Sequence, residues 1–140
     1  MAYYNKIGLL VLNKEQTKFL VCEPGSLHTE KVTQYIMPGG QFEEDTIEEC
    51  LKAEIKEELG CDIKTNNIEF VGEYTDIAAS SPDRDVMIKL YKGNLIGTPV
   101  PSTEIGALHW IGKNDINNPK VSLIIKNKII PDLVKRKILK

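Results

Sequence analysis

The stretch from Gly39 to Cys61, GGQFEEDTIEECLKAEIKEELGC, limits what this chain can fold into and do more than any other segment. It opens on two glycines, closes on Leu59-Gly60, and holds Glu43, Glu44, Asp45, Glu48, Glu49, Glu54, Glu57 and Glu58 between them. The chain has 20 acidic residues in all, so this is a local concentration of carboxylates and not a general acidity. The second half of the stretch reads as a helix. Thr46 and Glu49 have capping-box spacing, and Gly60 suits the left-handed residue that ends a helix. Ile47, Leu51, Ile55 and Leu59 recur every four residues and give a core-facing stripe. At about 100° per residue, Glu54, Glu57 and Glu58 share one arc that overlaps the edge of that stripe, towards Ile47 and Cys50.

Like charges three and four residues apart repel by roughly 0.2–0.5 kcal/mol per pair on an exposed helix, and by more where water is excluded. Lys52 and Lys56 lie on the outer face of the same wheel, so they do not offset the cluster. A hard divalent cation would. Mg²⁺ takes a few carboxylates, keeps several waters and accepts substrate phosphates, with Mn²⁺ as the alternative ion. A glutamate-rich helix merely solvated by water is the competing explanation, and the glycine pair in front of the helix argues against it.

This stretch resembles the Nudix box: Gly, five residues, Glu, seven residues, Arg-Glu, an aliphatic, any residue, Glu-Glu, any residue, Gly, an aliphatic. Counted from Gly39 every spacing is kept, with Asp45 in place of the loop Glu, Ala53 in place of Arg, then Glu54, Ile55, Glu57, Glu58, Gly60 and Cys61. Pairing the motif glycine with Gly40 makes the loop one residue short and leaves the helix alignment unchanged. The two departures fall on positions that brace the loop against the helix in the family, so they bear on loop rigidity more than on metal binding. The resemblance covers about a sixth of the chain. It implies a Nudix-type α/β/α sandwich, with a mixed sheet, a central Nudix helix and a C-terminal helix. It also implies metal ligation by Glu54, Glu57, Glu58 and the backbone carbonyl of Gly39.

Clustered glutamates that bind Mg²⁺ suit the activation of water and the screening of a diphosphate. The expected reaction is hydrolysis of a phosphoanhydride in a small-molecule substrate, a nucleoside diphosphate linked to another group, such as a nucleoside triphosphate or nucleotide sugar. Glu57 and Glu58 are the expected catalytic residues, together with Glu104. Glu104 resembles a glutamate that many relatives bring to the metal centre from a late loop; a solvated loop acid is the alternative. Gly39, Gly40 and Arg84 are the expected substrate contacts, Arg84 through its bidentate fork, with a surface ion pair to Asp83 or Asp85 as its alternative. His28 is an uncommitted loop residue, and Trp110 reads as core. The alternative function is a non-catalytic Nudix-like domain that binds a nucleotide or partner without cleaving it. A third reading is a simple divalent-cation buffer, and the loop's lack of the alternating oxygen ligands and central glycine of a calcium loop argues against it.

With 140 residues, 41% of them hydrophobic, the chain has room for one domain, residues 1–140, with a core of its own. A net charge of −2 argues against a nucleic-acid-coating surface, although the last 21 residues hold seven Lys or Arg and one acid. That basic end reads as a solvated helix face. Cys22, Cys50 and Cys61 lack a disulfide or zinc spacing and are expected reduced and mostly buried. No apolar run is long enough for a signal peptide or membrane span, so a cytoplasmic location without membrane contact is expected, with the chain working alone or as a homodimer.

Elsewhere the pattern predicts a hairpin of Ile7 to Leu12 with Thr17 to Glu23, and a short strand from Thr33 to Met37 leading into Pro38-Gly39-Gly40. A second hairpin joins Ile68 to Ala78 with Asp85 to Tyr91 through a turn at Ala79 to Asp83. Gly93 to Thr103 reads as a loop and Ala107 to Ile111 as the last strand. Asn118-Pro119 reads as a cap and first helical position for a terminal helix that Pro131 kinks or splits.

Overall fold

A computed structural model describes residues 2–25, 34–42, 46–79, 81–102 and 105–140. Strand β1 (Tyr4–Leu10) lies inside a four-stranded mixed sheet. It runs antiparallel to β3 (Gly39–Gln41) on one side and parallel to β6 (Ser81–Lys92) on the other, and β5 (Glu69–Ala78) forms the far edge. The sequence made the first two apolar runs a hairpin. The turn forms, with Asn13 Oδ1 accepting from the N–H groups of Thr17 and Lys18 at 2.9 and 3.0 Å and a bridge between Leu12 and Phe19. Beyond that bridge the runs part. Both edges of β1 are already paired, so β2 (Phe19–Pro24) leaves to pair with β8 (Ile105–Ile111) instead.

The Nudix-type helix α1 (Ile47–Leu59) is capped as its sequence predicts, with Thr46 Oγ1 accepting from the Glu49 N–H at 3.1 Å. It ends at Gly60, in the left-handed conformation with φ 66°. Leu51, Ile55 and Leu59 are fully buried on one face of the sheet with Ile7, Leu9, Leu20 and Cys22. The opposite face carries Leu10, Val86, Ile88 and Leu90, covered by the C-terminal segment through Val121, Ile125, Ile129 and Leu133. The result is an α/β sandwich: helix, mixed sheet, helix.

Four other expectations need correction. The glycine pair is itself a strand, β3, and Tyr35 and Ile36 make only isolated bridges; Thr33 lies outside the described residues. The second hairpin turns more tightly, with Ala78 paired to Ser81, so Pro82 and Asp83 extend β6. A proline is tolerated there because β1 starts only opposite Val86, which leaves that end of β6 without a neighbour on the β1 side. Within Gly93 to Thr103, β7 (Leu95–Ile96) pairs with β4 (Asp62–Ile63), a two-residue ladder too short to show a period. Asn118 ends a 3₁₀ turn, Lys113–Asn117, and does not open the terminal helix. Residues 120–122 run beside Tyr35, with Tyr35 N–H donating to Lys120 O at 2.7 Å and Ser122 N–H to Tyr35 O at 3.2 Å. That pairing takes the backbone groups a first helical turn would use. Pro131 splits the terminal helix as expected, into a π-helical turn, Ile125–Ile129, and α2 (Ile130–Lys135).

Candidate active site

Strand β3 and helix α1 meet rung by rung. Cys50, Glu54 and Glu58 are spaced by four and therefore stack on one side of the helix. Cys50 Sγ donates to Gln41 O at 3.3 Å, and Glu58 Oε1 accepts from Gly39 N–H at 2.8 Å. Between them, a Cβ on Gly40 would overlap the Glu54 carboxyl group. Three successive rungs of α1 thus face Gln41, Gly40 and Gly39 in turn. Both glycines are required, for different reasons. Gly39 has φ +143°, and a side chain there would overlap the Ile7 carbonyl. Gly40 leaves the space that the Glu54 carboxylate occupies.

Glu54 and Glu58 are half-buried and converge on this strand, whereas Glu57, on the same arc, is exposed. Among the described residues no group of three His, Cys, Asp or Glu side chains stands close enough to hold a metal ion. The donors that do converge are hard oxygens, and Mg²⁺, which keeps several waters, needs only one or two carboxylates. The pair therefore fits such an ion. Burial pushes the Cys22 thiol well above its ordinary value, and the nearby Glu58 carboxylate pushes the same way. Cys22, Cys50 and Cys61 are all free and buried.

Glu104 lies outside the described residues, as do His28 and Asp45. Val100 and Ser102 donate N–H groups to the Leu59 and Glu58 carbonyls at the end of α1, at 2.8 and 2.9 Å, and Ile105 N–H returns to Ser102 O at 3.1 Å. Ser102 is thereby tied to the backbone of Glu58, and Ile105 to Ser102. Arg84 is not gathered into this cluster. It sits on β6, beyond the end of β1, with its guanidinium 4.1 Å from the Tyr3 ring centroid. Neither expected ion pair, to Asp83 or to Asp85, is its main contact. Trp110 is 45% exposed and so is not core, and Lys52 pairs with Asp62 at 3.7 Å on the outer face.

A second polar cluster drew no assignment from the sequence. His109 Nε2 lies 3.2 Å from Glu23 Oε1, and the His109 ring stacks on Tyr35 with centroids 4.4 Å apart. Glu23 and His109 are 86 positions apart, and only the β2–β8 pairing brings them together. No periodicity in either strand carries that signal.

Comparison with curated proteins gives no match. Among solved structures the chain is similar to a MutT protein from Methanosarcina mazei Go1, with a TM-score of 0.75 at 16% identity over 97% of this chain and 96% of that one. It is similar also to a NUDIX hydrolase from Nitrosomonas europaea, with a TM-score of 0.71 at 17% identity over 96% and 90% of the two chains. A third likeness is to the NUDIX domain of Shewanella oneidensis NrtR complexed with ADP ribose, with a TM-score of 0.68 at 12% identity over 98% and 90%. At these identities the likeness is one of fold. The family model described as NUDIX domain matches residues 3–133, and with the glycine strand and glutamate helix in place, this chain belongs to the NUDIX family.

Proposed function

We propose that the chain is a divalent-metal-dependent pyrophosphohydrolase that cleaves a phosphoanhydride bond of a nucleoside diphosphate linked to another group. The observation that carries this reading is the convergence of the Glu54 and Glu58 carboxylates on the Gly39-Gly40 backbone. Two anions held against a pair of glycines make a place where a cation and a phosphate fit together. In this reading Glu54, Glu57, Glu58 and the Gly39 carbonyl hold Mg²⁺ or Mn²⁺. The bound ion screens the diphosphate charge and acidifies water. The small-molecule substrate is of nucleotide type, a class to which the ADP ribose held by the Shewanella oneidensis structure also belongs.

The chain's own residues supply the rest. Gly39 and Gly40 let the diphosphate approach the backbone. Glu57 stands exposed, where it can take a proton from water, and Glu104 is the further candidate for that role. Arg84, stacked on the Tyr3 ring, offers its donors to a substrate phosphate or sugar.

The test is a phosphate-release screen over nucleoside triphosphates, nucleotide sugars, ADP-ribose and dinucleoside polyphosphates, with and without Mg²⁺ or Mn²⁺. Turnover should vanish in excess chelator, and Glu58→Gln should lower it by about a hundredfold with the fold retained. Binding of the same compounds without turnover would favour the non-catalytic alternative.

A further inference from the structure

The outer edge of β5 and the helical segment packed beside it border an open groove of about 580 Å³, lined by residues 72–75 of the strand and by Asn127, Lys128, Pro131 and Lys135. The proposed hydrolysis leaves it unused. β5 is an edge of the four-stranded sheet, and its register with β6 is continuous from Gly72 to Ile77, so its side chains and backbone groups alternate regularly there. Tyr74 bonds Asp132, and Asp76 accepts from Asn127 at 3.4 Å, which turns the even-numbered side chains towards the helices. Glu73, Thr75 and Ile77 therefore lie on the other face, where all three are exposed. The Ile77 N–H donates to Asp76 Oδ1 at 2.7 Å and so points away from β6. By alternation the N–H and C=O groups of Glu73 and Thr75 point the same way.

This edge is capped at both ends and open between. Arg136 Nη1 donates to Val71 O at 2.7 Å, and Asp76 takes the Ile77 N–H. Between the caps, the outward groups of Glu73 and Thr75 meet no partner among the described residues. Two donors and two acceptors in a row match one extended chain of about four residues. Charge then selects the chain. Lys128 and Lys135 are exposed and make no ion pair among the described residues. Asp132, the one acid in the last 21 residues, is taken up by Tyr74 and Arg136. Lysines on an edge strand guard it against pairing, but β5 itself carries none. These two stand on the helical segment, beside the space that an added strand would fill.

We propose that this groove binds an extended acidic segment of another protein, added to β5 as a further strand, with acidic side chains on the helix side alternating with apolar ones on the other. The acidic positions meet Lys128 and Lys135. The apolar positions lie beside Thr75 and Ile77, since an acid there would face Glu73. A second copy of this chain fits less well. Pairing β5 with its own copy about a two-fold axis keeps both helical segments on one face of the joined sheet, which sets lysines against lysines. The proposal is independent of the hydrolase reading.

The experiment measures binding of a fluorescent, end-blocked peptide, Val-Glu-Val-Glu-Val-Glu-Val, to the full chain by fluorescence anisotropy. Binding should saturate and should weaken as salt is raised. The same peptide with Lys in place of Glu, or with its glutamates gathered in one block, should bind about tenfold more weakly or worse. Methylating the backbone nitrogens of either all the valines or all the glutamates should cost about tenfold in one case and little in the other, because only alternate N–H groups face β5. Lys128→Glu and Lys135→Glu together should abolish binding. Thr75→Pro, which removes an outward N–H and no bond to β6, should do the same; if that variant does not fold, the peptide series and the lysine variants decide. Amide hydrogen exchange should slow at Glu73 and Thr75 when the peptide is bound. Equal binding of all three charge patterns overturns the proposal, as does indifference to methylation at both sets of nitrogens. An oligothymidylate of equal charge that binds as well, without slowing exchange at Glu73 and Thr75, overturns it in favour of a surface that reads charge alone. Self-association that Thr75→Pro abolishes overturns it in favour of a second copy.

Discussion

Adjacent glycines with opposite failure modes separate structure from chemistry at the residue scale. Gly39→Ala should destabilise by on the order of 3 kcal/mol, because the backbone is in a region that L side chains rarely adopt and the new Cβ overlaps the Ile7 carbonyl, which cannot move without β1. Gly40→Ala meets only the far end of the flexible Glu54 side chain, which can swing away. It should cost less than about 1 kcal/mol yet lower metal-dependent turnover about 10- to 100-fold, as displacement of a ligand does. Chemical denaturation and steady-state rates on the two variants check this, and equal losses of stability would mean that Glu54 is held rigidly. The glycine pair and the spacing of Glu54 and Glu58 were legible in the sequence because i, i+4 stacking is a local rule. What the pair does was not legible. Its strand character depends on Gly8 lying opposite Gly39, a contact between positions far apart in the chain.

Helix α1 could be read from its own residues, including its cap and its end, because capping and amphipathic period act within a few positions. The terminal helix was harder, since its start is decided by Tyr35 and not by Asn118-Pro119. The first predicted hairpin failed as a pairing for the same reason: competition for the edges of β1 is a property of the sheet. Where α2 meets the edge strand, Tyr74 OH donates to Asp132 Oδ2 at 2.6 Å, and Arg136 bonds both Asp132 and the Val71 carbonyl, at 3.0 and 2.7 Å. Arg136 thus occupies a carbonyl on a strand that has no further neighbour in its sheet, which blunts that edge.

The Tyr74 hydrogen bond, with Arg136 in support, holds Asp132 below the ordinary carboxylate range, and burial followed by Asp132 holds Tyr74 well above the ordinary phenol value. A depressed Asp132 stabilises the fold above the ordinary carboxylate pKa, and that contribution is lost as pH falls through its folded value. A raised Tyr74 stabilises below about pH 10, and its contribution is lost on the alkaline side. Tyr74→Phe should therefore cost about 1–2 kcal/mol near neutral pH. The gap between variant and parent should close in acid as Asp132 protonates. Urea unfolding from pH 2 to 8 would show it, and a gap independent of pH would mean that Tyr74 acts through packing alone.

Among the described residues two apolar cores lie on either face of the four-stranded mixed sheet, and one of them lies under the glutamates. Successive residues of β1 supply both: Leu9 enters the core beneath α1 and Leu10 the core beneath the C-terminal helices. The sheet therefore couples the two layers in stability, while the geometry of the site depends on how α1 sits on β3. Leu51 is fully buried one position beyond Cys50, inside the α1 core, and Leu133 is fully buried in the opposite one. Truncating either to Ala should cost about 2–5 kcal/mol, the range for a buried leucine whose cavity only partly collapses. Their effects on function should differ. Leu51→Ala loosens the packing that sets the Cys50, Glu54 and Glu58 rungs against Gln41, Gly40 and Gly39, so the metal concentration needed for half-maximal turnover should rise severalfold. Leu133→Ala, at the same loss of stability, should leave that concentration unchanged at temperatures where both variants are folded. Thermal unfolding paired with metal titrations of activity measures both quantities on the same samples. A matching shift in Leu133→Ala would show that the sheet transmits strain from one core to the other, and that the glutamate site depends on the whole sandwich and not on the α1 layer alone.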